Sequence, residues 1–236
     1  MTIECVFFDA GNTLIYPDPL VGEAYARVLR KRGIEADAGQ VAEQFKNAWM
    51  ELRRQQAGTA PPYGSTDAQA RQWWRRVVRL TFRPYEVQEP DVLFEELWEH
   101  FADPASWRVY PDVFPTLQAL RKRSVRVGLI SNWDSRLVPL LGRLGIWELL
   151  DAAAVSFEVG VEKPHPLIFR QALSRCGVRP QQAALVGDSL EEDVQGATAA
   201  GLRAVWLRRG GPRPAVPDNV VVIASLEEAL ALRAPG

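Results

Sequence analysis

Apolar and polar positions alternate with two different rhythms along this chain. Residues 5–10, Cys-Val-Phe-Phe-Asp-Ala, are a short apolar run closed by turn formers, the pattern of a strand buried on both faces of a sheet. Residues 17–108 follow a helical period instead. Their apolar positions predict helices over about 19–32, 38–57, 66–82 and 90–102, separated by Gly33, by Gly58-Thr59-Ala60-Pro61-Pro62 and by Pro84. No strand is expected in that span.

From residue 110 short apolar runs alternate with helical patterns. Helices are expected from Pro111-Asp112 to about 123, over 134–144, 166–176 and 191–200, and at the end over 226–232. Strands are expected over 125–131, 152–156, 183–187, 204–207 and 220–223. Alternating β and α segments of these lengths imply a parallel sheet covered on both faces, the α/β doubly wound class. The organisation that follows is a sheet domain made of residues 1–16 and 109–236, with 17–108 inserted after the first strand. Five of the eight tryptophans, Trp49, Trp73, Trp74, Trp98 and Trp107, fall in the insertion. Helices carrying such faces must bury them, so a small bundle is expected there.

Composition narrows the function classes. The 236 residues carry 28 Lys and Arg against 29 Asp and Glu, so the basic surplus of a nucleic-acid or anionic-membrane binder is missing. Two cysteines, Cys5 and Cys176, make no disulfide framework. The first residues, Met1-Thr2-Ile3-Glu4, lack a basic n-region, and no apolar stretch is long enough to span a bilayer. A cytoplasmic location is expected. Lysine is scarce: Lys31, Lys46, Lys122 and Lys163 are the only four, so each invites a reason.

Open α/β sheets bind ligands at the carboxyl ends of their strands. Four polar clusters stand at such positions: Asp9-Ala10-Gly11-Asn12-Thr13, Ser131-Asn132-Trp133-Asp134, Glu162-Lys163-Pro164 and Gly187-Asp188-Ser189-Leu190-Glu191-Glu192-Asp193. Each has an ordinary reading. Asp9 with Asn12 and Thr13 suits a turn, Ser131 and Asn132 suit a helix cap, Asp188 and Asp193 suit the start of a helix, and Lys163 suits a loop. Each also has a chemical one. Asp9 is a nucleophile or metal ligand, Asp188 and Asp193 offer oxygen to a hard cation such as Mg²⁺, Ser131 and Asn132 offer donors to an anionic group, and Lys163 is a counter-charge.

In this order and spacing the four clusters resemble the four motifs of the haloacid dehalogenase-like (HAD) hydrolase superfamily. The signals that carry the resemblance are Lys163-Pro164-His165-Pro166-Leu167-Ile168-Phe169 after Ser131, and Gly187-Asp188-Ser189 with Asp193. The resemblance implies a Rossmann-like core, with the insertion as the helical cap of the subfamily that places its cap after the first motif. It implies Asp9 as a nucleophile that becomes an aspartyl-phosphate. It implies Mg²⁺ held by Asp9, the Gly11 carbonyl, Asp188 and Asp193. Ser131 would hold phosphoryl oxygens and Lys163 would neutralise them. Thr13, Asn132 and Trp133 beside these motifs are the candidate substrate contacts, and a small phosphorylated molecule is the expected partner.

One position departs from the pattern. Phosphatases of this superfamily usually carry a second aspartate two residues after the nucleophile, to protonate the leaving oxygen, and here that residue is Gly11. General acid–base catalysis is typically worth about 10²–10⁴-fold. L-2-haloacid dehalogenases also lack the acid, yet they lack the Gly-Asp…Asp metal pair that this chain keeps. Phosphonatases have alanine there and use a cap lysine, for which Lys31 and Lys46 are the candidates. Three readings stand: a Mg²⁺-dependent phosphatase, a C–X or C–P hydrolase, and a catalytically weak binding protein. If there is room for the carboxylate, Gly11→Asp is expected to raise phosphatase turnover. Trp73 and Trp74 beside Arg75 and Arg76 read as pocket lining or as bundle core. Arg208-Arg209-Gly210-Gly211 reads as a phosphate loop or a turn. The sequence carries no signal for the oligomeric state.

Overall fold

The computed structural model describes residues 2–55, 66–210, 216–217 and 220–232. The strands in chain order are β1 (Cys5–Phe8), β2 (Ile15–Pro17), β3 (Trp107–Val109), β4 (Arg126–Ser131), β5 (Ala152–Val155), β6 (Ala183–Gly187), β7 (Arg203–Leu207) and β8 (Val220–Ile223). The helices are α1 (Val21–Arg30), α2 (Ala38–Gln55), α3 (Asp67–Phe82), α4 (Pro90–Ala102), α5 (Val113–Lys122), α6 (Leu137–Arg143), α7 (Ser156–Val159), α8 (Pro166–Cys176) and α9 (Gly196–Ala199). The chain divides into two compact units, Met1–Tyr16 with Val109–Gly236, and Pro17–Arg108.

The first unit is built on a parallel six-stranded sheet in the order β5-β4-β1-β6-β7-β8. β1 is apolar and buried at every residue, as a central strand covered on both faces must be. Phe8 is in register with Leu129 of β4 and Val186 of β6. All strands run the same way, so the residues after β1, β4 and β6 emerge side by side on one edge. Gly128 in β4 is needed because a Cβ there would fall inside the Phe7 ring. Helix α8 begins with Pro166 at its first turn, is capped by His165 Nδ1 accepting from the Leu167 N–H (3.2 Å), and ends at left-handed Gly177. It buries Ile168, Phe169, Ala172, Leu173 and Cys176 in the cluster that holds Phe7, Ile130 and Leu185.

The second unit is α1 to α4. Tyr25, Leu29, Val41, Val78, Phe82, Leu93, Phe94 and Leu97 form its core. Trp73 is buried in a second cluster with Leu52 and Val77, and meets Trp49 and Trp74 edge to face at 4.9 and 5.1 Å between ring centres. Trp73 and Trp74 therefore belong to bundle packing. Arg75 lies over the Phe94 ring at 4.7 Å and pairs with Glu95, and Arg76 donates to Gln55 at 3.0 Å. Lys31 is exposed and paired with Glu96, and Lys46 is exposed.

Several expectations are corrected. Strand does occur in the 17–108 span: Pro17 belongs to β2 and Trp107–Arg108 to β3, which pair as a two-stranded sheet. Three-residue strands are too short to show a period of two. The helix expected from residue 134 starts at Leu137, because the Asp134 carboxylate accepts from the Arg136 backbone N–H (3.1 Å) and guanidinium (2.7 Å) and holds a turn. The helix expected over 191–200 is a π-helical turn, Leu190–Gln195, running into α9, and the last helix, Leu226–Ala231, is 3-10. Helix α7 carries no signal in the pattern. The 58–62 breaker and Gly211 lie outside the described residues. No described helix is long and apolar enough to cross a membrane.

Candidate active site

Asp9 is the first residue beyond β1, and its N–H donates to the Val186 carbonyl of β6 at 3.0 Å. Asp9 is buried, with 12% of its side chain exposed. Its Oδ1 accepts from the Ser131 hydroxyl at the end of β4 (3.0 Å) and from Lys163 Nζ (2.7 Å). Lys163 Nζ also donates to Asp193 Oδ1 at 2.6 Å. Strand order explains the meeting: β1 lies between β4 and β6, so Ser131 comes from one neighbour and Asp188 and Asp193 follow the other. Residues 122 to 184 positions from Asp9 thus converge on one edge.

Asp9, Asp188 and Asp193 each place a carboxylate oxygen within 4.8 Å of the others. Gly187 makes this possible, since a Cβ there would overlap the Asp193 carboxylate. The Asp193 Oδ2 is fixed by the Ser189 N–H at 3.0 Å, and the Asp188 carbonyl by Trp206 Nε1 at 2.9 Å. Burial, then the charges of Asp9 and Asp193, push the Asp188 carboxyl up to about 7. Burial pushes Asp193 up to about 6, with Lys163 opposing and Asp9 adding to it. Burial disfavours the Lys163 ammonium, but Asp193, Asp9 and Glu192 outweigh it and hold its proton well above the ordinary lysine range. One cation among three acids leaves a surplus of buried negative charge. That donor set, all oxygen, fits a hard divalent ion.

The remaining predicted residues have distinct positions. Both ends of the Asn132 amide hold Lys163: Oδ1 accepts from its N–H at 2.7 Å and Nδ2 donates to its carbonyl at 3.0 Å. Nδ2 also reaches Glu192 Oε2 at 3.0 Å. Asn132 therefore positions the lysine. Thr13 is fully buried, its carbonyl accepts from Arg209 at 2.8 Å, and its hydroxyl has no hydrogen-bond partner among the described residues. Gly11 lies in the loop after Asp9, between that residue and left-handed Asn12 (φ 55°). Trp133 covers Gly11: a Cβ on Gly11 would stand 3.2 Å from the Cζ3 of the indole. The Trp133 backbone is pinned by Ser156, whose Oγ accepts from its N–H (3.0 Å) and donates to its carbonyl (3.1 Å).

Sequence reasoning missed one assembly. Asp112 binds Arg209 through two bonds (2.9 and 3.0 Å) and accepts from Ser225 Oγ and the Leu226 N–H. Arg209 also stacks 3.7 Å over Tyr110, and Arg208 lies over Trp206 at 5.1 Å. Arg209 is thus a brace on the loop after β1, reaching it through the Thr13 carbonyl. Arg209 at a strand end was a visible signal. Its partner Asp112 read only as a helix start.

The haloacid dehalogenase-like hydrolase family model matches residues 3–201. The chain is 37% identical over 225 residues to the "Haloacid dehalogenase-like hydrolase domain-containing protein 3" of Mus musculus, covering 93% of this chain and 88% of that protein. It is 31% identical over 226 residues to the "Glyceraldehyde 3-phosphate phosphatase" of Methanopyrus kandleri, covering 92% and 89%. Among solved structures, a HAD phosphatase from Thermococcus onnurineus superposes with a TM-score of 0.68 at 27% identity, over 99% of this chain and 100% of that one.

Proposed function

The chain belongs to the haloacid dehalogenase-like hydrolase family, and from that premise we propose that it is a Mg²⁺-dependent phosphatase of small phosphorylated molecules, with Asp9 as its nucleophile. The observation that carries the reading is the Asp9 carboxylate held by Lys163 and Ser131 beside the carboxylates of Asp188 and Asp193. Asp9, Asp188 and Asp193, with the Gly11 carbonyl nearby in sequence, would hold the ion. When bound it supplies charge neutralisation to the phosphoryl oxygens.

The chain's own residues do the rest. Lys163 and Ser131 fix the Asp9 carboxylate for in-line attack on phosphorus, and Lys163 offsets the charge gathering there. Asn132 keeps Lys163 in place through its backbone. Water then attacks the aspartyl-phosphate and releases Asp9. Two phosphatase-named proteins among the similar ones support the reaction class. The carboxylate trio supports it over dehalogenation, because three clustered acids suit a cation, which a phosphate substrate needs for charge neutralisation and halide departure does not. Balanced charge supports a small-molecule substrate in the cytoplasm, without nucleic-acid or membrane partners.

The test is phosphate release from a phosphometabolite panel with and without Mg²⁺. We expect release that EDTA stops and that Asp9→Asn abolishes without lowering the melting temperature. Halide release from 2-haloacids in EDTA would overturn the reading in favour of dehalogenation. Tight phosphometabolite binding without turnover would overturn it in favour of a binding protein.

A further inference from the structure

The space beside Gly11 is already taken. A Cβ there would stand 3.2 Å from Cζ3 of the Trp133 indole, closer than carbon atoms ordinarily pack, and 3.9 Å from Cη2, an ordinary contact. A carboxylate would add three further heavy atoms. Ser156 holds the Trp133 peptide at both its N–H and its carbonyl, which fixes the point from which the indole reaches Gly11. Gly11 has no left-handed φ to require glycine, unlike Gly33 (φ 74°) and Gly160 (φ 80°). What position 11 lacks is room, and Trp133 is what fills it.

Among the described residues, the side chains that hydrogen-bond to the Asp9 carboxylate are Ser131 and Lys163. The Ser131 hydroxyl donates to Asp9 Oδ1, and Lys163 Nζ spans Asp9 and Asp193. Asn132 is spent on the backbone of Lys163 and on Glu192. On the Gly11 side of Asp9 the structure presents an aromatic ring in place of an acid.

We propose that Trp133 is a specificity-determining residue: packed on Gly11, it excludes a proton donor from the leaving-group side of Asp9, and so selects phosphoryl donors whose leaving group departs as a stable anion, namely acyl phosphates and phosphates of acidic phenols. The inference rests on the phosphatase reading and narrows its substrate class. In the first step an Asp9 oxygen forms a bond to phosphorus and the bond from phosphorus to the leaving oxygen breaks. The electron pair stays on that oxygen, which departs as a carboxylate or phenolate and needs no proton from the protein. In the second step water attacks phosphorus, the bond to Asp9 breaks, and the proton of water passes to solvent. An alkoxide leaving group has no such stability and depends on an acid, a dependence typically worth about 10²–10⁴-fold.

The experiment measures kcat/KM with Mg²⁺ for a series of substituted phenyl phosphates of similar size, with acetyl phosphate and glyceraldehyde 3-phosphate as the acyl and alkyl extremes. In the wild type, log kcat/KM is expected to fall steeply as the leaving-group pKa rises, with the alkyl ester at least about a hundredfold below acetyl phosphate. Trp133→Ala alone adds space without an acid, and its slope should stay steep. Gly11→Asp alone forces the carboxylate against the indole; it should melt lower and keep the steep slope. The double variant Gly11→Asp/Trp133→Ala should show a shallow slope, a coupling that neither single variant displays. Trp133→Phe, with its melting temperature, controls for misfolding. A shallow wild-type slope would overturn the inference and leave the phosphatase reading intact. So would a shallow slope in Gly11→Asp with Trp133 present. Absence of Asp9-dependent turnover on every donor would overturn both.

Discussion

In the helical unit Arg79 reaches Asp91 at 2.6 Å while about half of each side chain stays in water (54% and 52% exposed). In the sheet unit Lys163 reaches Asp9 and Asp193 at 2.7 and 2.6 Å with 1% of its side chain exposed. The distances are nearly the same, and the consequences are not. Water and salt screen the first pair, and two long side chains lose freedom in making it. The second has no water to fall back on. Removing the Lys163 ammonium strands two carboxylates in a poorly polarisable interior, whereas removing Asp9 leaves the ammonium paired with Asp193. The arginine ladder of Arg71, Arg75 and Arg79 against Glu95 and Asp91 is a surface that solvent would tolerate rearranged. The Lys163 cluster is a surplus of acid in which one compact ammonium is shared between Asp9 and Asp193.

The sharpest way to break this comparison is Lys163→Met. It leaves Asp9 and Asp193 without their ammonium, and the expected loss is about 3–5 kcal/mol of unfolding free energy, read from urea midpoints. A loss no greater than that of Arg79→Ala would show that the buried pair is worth no more than the exposed one. Next in size is the response to metal. Mg²⁺ at a hundredfold excess over its dissociation constant is expected to stabilise the wild type by about 2.7 kcal/mol. Asp188→Asn should remove that response. It should also raise the melting temperature without metal, because it deletes a carboxylate that burial and two like charges already oppose.

Asp112 lies between the two extremes, at 8% exposure. Burial raises its pKa, but the Arg209 hydrogen bonds and the Leu226 N–H outweigh that and hold it below the ordinary aspartate range. The folded state therefore binds fewer protons than the unfolded one. The stability Asp112 contributes is fully present above the unfolded value of about 3.9 and is lost as pH falls through the lower folded value. Asp112→Asn should cost about 1–3 kcal/mol at neutral pH and flatten the acid limb of the urea midpoint against pH. The smallest effect is expected at the surface. Arg79→Ala should leave the urea midpoint within experimental scatter, at low salt and at high. A salt-dependent fall would show that the ladder acts as a network.

Local pattern made much of the fold legible. β6 and β8 are predicted at their observed bounds, because Ala183–Gly187 and Val220–Ile223 are apolar runs between turn formers. α8 is predicted at both ends, because Pro166 can open a helix and Gly177 can close one. The elements that differ are those decided by a single side-chain contact or by pairing too short to have a period. The Asp134–Arg136 contact delays α6, and the three-residue partners β2 and β3 show no alternation. The candidate site divides in the same way. Residue type and position beyond the strands mark Asp9, Lys163, Asp188 and Asp193 as candidates, and the resemblance to the family's motifs implies their roles. Asn132 and Thr13 were named as substrate contacts, but the structure occupies the Asn132 amide with Lys163 and buries Thr13.

The sequence by itself determined an α/β chain with a helical insertion, the four polar clusters at strand ends, and the glycine where an acid was expected. The first two follow from hydrophobic period, turn chemistry and spacing, which are local properties, and the third follows from the resemblance to the family's motifs. Only the tertiary structure decided that Trp133 fills the space beside Gly11, that Asn132 grips the backbone of Lys163, and that Arg209 braces Thr13 through Asp112. Those contacts join residues far apart in the chain. They depend on β1 lying between β4 and β6, and strand order is a long-range choice that no local pattern encodes.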